Sequence, residues 1–182
     1  ETGGNNYFNS AYLIDNKGEI TGRYDKFHLV PYGEYVPLKR FFPFIKKLTA
    51  GVGDFAEGRG PYPIGFMGGD IGVLICYEAI FPEIARETVK NGAAFLVNIT
   101  NDAWFGTTSA PYQHFEIARM RAVENRVYLM RAANTGISAF IAPSGRVIVR
   151  TGLFEKTFLT ERVGIKNGAW TTFYTQFGDV FA

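Results

Sequence analysis

Apolar positions in this chain come in short runs, each closed by glycine, proline, asparagine or aspartate, and this rhythm predicts strands alternating with helices. Residues 8–14 and 19–24 flank Asn16-Lys17-Gly18, a hairpin signal in which glycine supplies positive φ. A loop punctuated by Pro31, Gly33 and Pro37 follows. Residues 38–48 then set Phe41, Phe42, Phe44, Ile45 and Leu48 among Lys39, Arg40, Lys46 and Lys47, a short amphipathic basic segment broken by Pro43. Residues 51–60 form a glycine-rich connection, and residues 70–75 read as a buried strand. Pro82 suits the first turn of a helix that runs to about Lys90, where Asn91-Gly92 stops it. A second buried strand over 95–99 ends in Thr100-Asn101-Asp102. A helix is expected over 111–125, and strands over 128–133, 138–141 and 147–150. Strand pairs joined by tight hairpins, mixed with helical crossovers, give an α/β layered domain with a mixed sheet.

Composition narrows the function. With 182 residues, 47% of them hydrophobic, the chain can bury a core and reads as one globular domain or most of one. Nineteen basic against 17 acidic residues leave a net charge of +2, too weak a field to argue for nucleic acid. A single cysteine excludes an internal disulfide. No run approaches the roughly 20 apolar residues of a membrane span, and no signal peptide opens the chain.

That cysteine, Cys76, lies where the apolar run Gly72-Val73-Leu74-Ile75 meets a polar turn. A thiol there is held rigidly yet can face a pocket, although single cysteines are more often inert and buried. Lys26 sits where a predicted strand meets a loop; beside a thiol, an ammonium favours the thiolate and stabilises an oxyanion. Acyl transfer also needs a carboxylate to move protons, and Glu34 and Glu78 are candidates. Taken singly, Lys26 reads as a solvated lysine and Glu78 as a carboxylate at a helix N-terminus. His28 and His114 lie far apart and read as structural, and no metal spacing appears.

Several ordered strings carry a resemblance. Ile75-Cys76-Tyr77-Glu78 with Phe81-Pro82-Glu83 resembles the nucleophile segment of the nitrilase superfamily, whose members use a Glu, Lys and Cys triad. Residues 28–37, from His28-Leu29-Val30-Pro31 to Tyr35-Val36-Pro37, and Asn101-Asp102-Ala103-Trp104-Phe105-Gly106 are similar to its apolipoprotein N-acyltransferase branch. So are Gln113-His114-Phe115, Ala118-Arg119-Met120-Arg121-Ala122 and Asn134-Thr135-Gly136-Ile137, so that the likeness runs from about Asn9 to Ile165.

The resemblance implies a nitrilase-like αββα sandwich with mixed sheets. It implies a catalytic domain over residues 1–165, with 166–182 leading toward a membrane helix. It also implies that an N-terminal part, the general-base glutamate and the membrane helices lie outside residues 1–182, which by themselves would turn nothing over. Cys76 is then the nucleophile, Lys26 the triad lysine and Glu34 a further active-site glutamate that holds it. Tyr77 and Glu78 flank the nucleophile and oxyanion, while Trp104, Phe105, Phe41 and Phe42 would bind the acyl substrate. The implied reaction moves a fatty acyl chain from a phospholipid, through a Cys76 thioester, to the N-terminal amine of a diacylated apolipoprotein. It needs no cofactor, and its setting is the extracytoplasmic face of a bacterial inner membrane. The 38–48 segment would then be a lipid-facing flap. Two other readings stay open: a soluble nitrilase-type amidohydrolase acting on a small amide or nitrile, and a non-catalytic scaffold.

Overall fold

A β-hairpin is the first element among the described residues of a computed structural model, which are 7–35, 55–165 and 171–180. Its strands β1 (Ser10–Ile14) and β2 (Ile20–Asp25) pair antiparallel, with Ser10 opposite Asp25. The turn closes as expected on Gly18, at φ 84°, and the Asp15 carboxylate accepts from the Lys17 and Glu19 amides.

The second sheet has five strands. β3 (Ile71–Ile75), β4 (Phe95–Asn101) and β5 (Leu129–Asn134) run parallel, and β6 (Ala139–Ile141) and β7 (Val147–Arg150) continue antiparallel. Parallel neighbours require crossovers, and these are the helices α1 (Pro82–Lys90) and α2 (Ala110–Asn125). α1 starts on Pro82, carries Glu83 in its first turn and Lys90 in its last, and yields to Gly92 at φ 112°. The mixed α/β sheet read from the sequence is therefore formed.

Alternation along β3 explains the layering. Leu74 points into a core with Ile84, Val89, Leu96, Phe115, Ala118 and Leu129, which packs the helices on one face of the sheet. Val73 and Ile75 point the other way, joining Tyr24, Ile64, Ala11 and Leu13, so the hairpin covers the opposite face. Each fully buried Leu, Ile or Phe contributes about 1.5–3 kcal/mol relative to exposure. Gly72 permits this closeness, since a Cβ there would lie 2.7 Å from both Leu96 and Thr88.

The polar turn expected at Cys76 takes the form of a 3-10 turn over Cys76–Ile80, built by the buried side chain of Glu78, which local periodicity does not register. Within the aromatic tail, residues 173–177 form α3 (Phe173–Phe177), which docks on α1 and α2. The segment holding Phe41 and Phe42 lies outside the described residues. Among the described residues no helix is long and apolar enough to cross a membrane.

Candidate active site

Cys76 stands at the carboxyl end of β3 with φ 53°, a left-handed conformation that side chains rarely adopt. Such strain at a strand-to-turn junction lifts a side chain out of the sheet and concentrates where function over-determines the backbone. The turn is held by Glu78, which is fully buried. Its Oε2 accepts from the Ile75 amide at 2.7 Å, and its Oε1 from the Phe27 amide at 2.7 Å, the Tyr24 hydroxyl at 3.0 Å and the His28 amide at 3.1 Å. Burial pushes the Glu78 pKa up despite these four donors. Glu78 thus ties the segment after Lys26 to the turn carrying Cys76. It does not line the cavity described below; Tyr77 does.

Lys26 is not solvated: it is 1% exposed. Its backbone is clamped on both sides, the amide donating to Asn9 O at 2.8 Å and the carbonyl accepting from Gly58 N at 2.9 Å. Its Nζ donates to Glu34 Oε2 at 2.5 Å. Glu34 is oriented in turn by the Val30 amide at 2.9 Å and by Asn9 Nδ2 at 2.8 Å. Burial opposes ionisation of Glu34, but Lys26, the Val30 amide and Asn9 outweigh it, and its pKa falls below the ordinary glutamate value.

These groups meet in one cavity of about 630 Å³ at the carboxyl ends of β3 and β4, where open α/β sheets hold their ligands. Lys26, Glu34, Cys76 and Asn9 line its polar part, and Val30, Ile75, Ile99, Trp104 and Phe105 supply apolar wall. Trp104 projects from it, 88% exposed. Of the residues singled out in the sequence, Cys76, Lys26, Glu34, Tyr77, Trp104 and Phe105 come together; Glu78 sits behind them. His28 stacks on Phe81 at 3.9 Å between centroids, and His114 is buried beneath the sheet. Among the described residues no group of three or more His, Cys, Asp or Glu could hold a metal.

Sequence reasoning missed Asn9, Thr100 and Asn101 as cavity residues. It also missed a buried polar cluster of Asn98, Asp102, His114 and Arg131. The available signal was positional: Asn101-Asp102 follows a buried strand, and Arg131 interrupts an apolar one.

The carbon-nitrogen hydrolase family model matches residues 1–167. A protein of Geobacter metallireducens named apolipoprotein N-acyltransferase is 51% identical over 97% of this chain and 33% of its own length. The chain spans about a third of the length of the curated relatives it matches. The crystal structure of a carbon-nitrogen hydrolase from Helicobacter pylori superposes with TM-score 0.62 at 21% identity, over 81% of this chain and 53% of that one. An amidase from Nesterenkonia sp. AN1, solved as a mutant with the acetamide moiety of fluoroacetamide added covalently at its active-site cysteine, superposes with TM-score 0.56 at 25% identity, over 79% of this chain and 51% of that one. A family match over nearly the whole length, on a shared fold, means that this chain belongs to the carbon-nitrogen hydrolase family.

Proposed function

We propose that the protein is an apolipoprotein N-acyltransferase in which Cys76 carries the acyl chain. The observation that carries this reading is a cavity in which Cys76, at a strained strand end, shares an apolar enclosure with the ion pair of buried Lys26 and half-buried Glu34. The name of the Geobacter relative and the cysteine adduct of the Nesterenkonia amidase support the same direction.

In the first step the Cys76 thiolate attacks the carbonyl of a phospholipid ester. The Lys26 ammonium, held by Glu34, and the backbone N–H after Cys76 stabilise the oxyanion. The C–O bond breaks, the lysophospholipid alkoxide takes a proton, and a thioester remains. In the second step the α-amine of a diacylglyceryl cysteine attacks that thioester, the C–S bond breaks, the amine loses a proton and the amide is released. Both Glu34 oxygens are engaged by Lys26, Val30 and Asn9, so Glu34 orients the lysine. It is the one carboxylate among the described cavity residues, and the reading therefore requires a further carboxylate as proton acceptor.

On this reading residues 1–165 are the catalytic unit, 166–182 lead toward a membrane helix, and the site faces the extracytoplasmic side of a bacterial inner membrane. Phe41 and Phe42 join Trp104 and Phe105 in receiving the acyl chain. The test uses the full-length protein with phospholipid and a diacylglyceryl-cysteine peptide. The expected product is the N-acylated peptide, through a hydroxylamine-sensitive adduct on Cys76, and Cys76→Ala abolishes both. Hydrolysis of small amides with no acyl transfer from phospholipid would establish the amidohydrolase alternative instead.

A further inference from the structure

The cavity has one wall whose position its own contacts do not explain. Residues 103–106 carry Trp104 and Phe105, yet their backbone bonds are local: the Ala103 amide to Asn101 Oδ1, Phe105 to Asp102 O, and Gly106 to Ala103 O. With Trp104 88% exposed, the wall is held chiefly from behind, through Asp102.

Asp102 is 2% exposed and receives donors from three elements. Its Oδ1 accepts from Thr100 Oγ1 at 3.0 Å, in β4, and lies 3.0 Å from His114 Nδ1, in α2. Its Oδ2 accepts from Arg131 Nη2 at 2.7 Å, in β5. Its amide donates to Asn134 O at 3.1 Å. Arg131 is itself buried; it donates from Nε to Ile137 O at 3.2 Å and from Nη1 to the Asn98 side chain. Asn98 closes the circuit by donating to Leu74 O, two residues before Cys76, at 2.9 Å. The His114 ring, meanwhile, meets Phe105 edge-on at 5.8 Å. Gly136 leaves the space for this, because a Cβ there would fall 2.3 Å from Asp102 Oδ2.

Desolvating such an ion pair is costly and is weak evidence for stability, so its use is better sought in specificity of geometry. Register supports this. Asn98 pairs with Arg131 on the helix-facing side of the sheet, whereas Ile75 and Ile99, paired one step further on, face the cavity. The cluster thus underlies both strand ends that carry the site.

We propose that Asp102, His114 and Arg131 form a positioning hub that sets where Trp104 and Phe105 stand relative to Cys76, and so governs how well long acyl chains seat. This rests on the acyl-transfer reading above. His114 separates the hub's bond from its packing: His114→Asn keeps an N–H near Asp102, and His114→Phe keeps a ring near Phe105 but loses the donor.

The experiment measures acylation of Cys76 in the full-length protein by an acetyl and a palmitoyl p-nitrophenyl ester, normalised to active thiol. His114→Phe is expected to raise KM for the palmitoyl ester about tenfold more than for the acetyl ester. His114→Asn restores most of that difference. Hydrogen exchange at residues 103–106 accelerates in His114→Phe and not at the Cys76 turn. If His114→Phe does not fold, Arg131→Lys, which keeps the charge but loses the fork, carries the same comparison. Equal KM increases for both esters, or no rescue by His114→Asn, overturn the hub while leaving the acyl-transfer reading intact. A wild-type protein that forms no thioester with either ester removes both.

Discussion

Glu78 and Glu34 are two glutamates near one cysteine, and their surroundings assign them different work. Glu78 is saturated by four donors away from the cavity, so Glu78→Gln turns two acceptor positions into one and sets a side-chain N–H against a backbone N–H. The expected loss is about 1–3 kcal/mol of unfolding free energy, read by denaturant titration, with activity falling as the Cys76 turn loosens. Glu34 has a folded-state pKa below its ordinary 4.5, so it stabilises the fold above that value and loses this contribution as pH falls through the depressed one. The stability gap between wild type and Glu34→Gln should accordingly be constant near neutrality and shrink on acidification; a gap that widens would contradict the Lys26–Glu34 pairing. Cys76 and Lys26 were legible as residues because of their strand-end positions. The depth of Lys26 was not, since a lysine is ordinarily solvated and a partner eight positions away is invisible to periodicity.

Strands and crossover helices were legible because apolar alternation and proline and glycine punctuation are local. α1 starts on Pro82 and ends at Lys90 as the pattern indicates. A turn at Cys76 was legible, but its 3-10 form over Cys76–Ile80 was not, because its cause is a carboxylate reaching the β2 end. Neither was the role of Gly58, which lies in a stretch read as a flexible connection. A Cβ at Gly58 would lie 2.1 Å from the Asp25 carbonyl oxygen, against the strand end that carries Lys26. Gly58→Ala should therefore push Lys26 off its line, cutting thioester formation by about a hundredfold if the shift reaches 1 Å, with a smaller effect on thermal stability. Single-turnover kinetics beside a melting curve separate the two.

Across the whole molecule the tail closes on the helical layer. Thr172 caps α3 and donates to Glu124 O at 2.6 Å, Thr175 is fully buried and donates to Asn125 Oδ1 at 2.9 Å, and Arg86 donates to Thr175 O at 3.2 Å. Thr175→Val strands the Asn125 oxygen; the expected loss is about 1–3 kcal/mol, with faster hydrogen exchange over 171–180 and unchanged Cys76 chemistry, since this latch lies across the sheet from the cavity. The sequence by itself determined the alternation of strands and helices, the identity of the candidate nucleophile and the family likeness, because these reside in periodicity and in short ordered strings. Tertiary structure alone decided that Lys26 is buried against Glu34, that Glu78 is a staple, and that Asp102, His114 and Arg131 converge beneath the wall of the cavity. These depend on charges distant in the chain being desolvated together, and only the folded packing of the hairpin, sheet and helices brings them into reach.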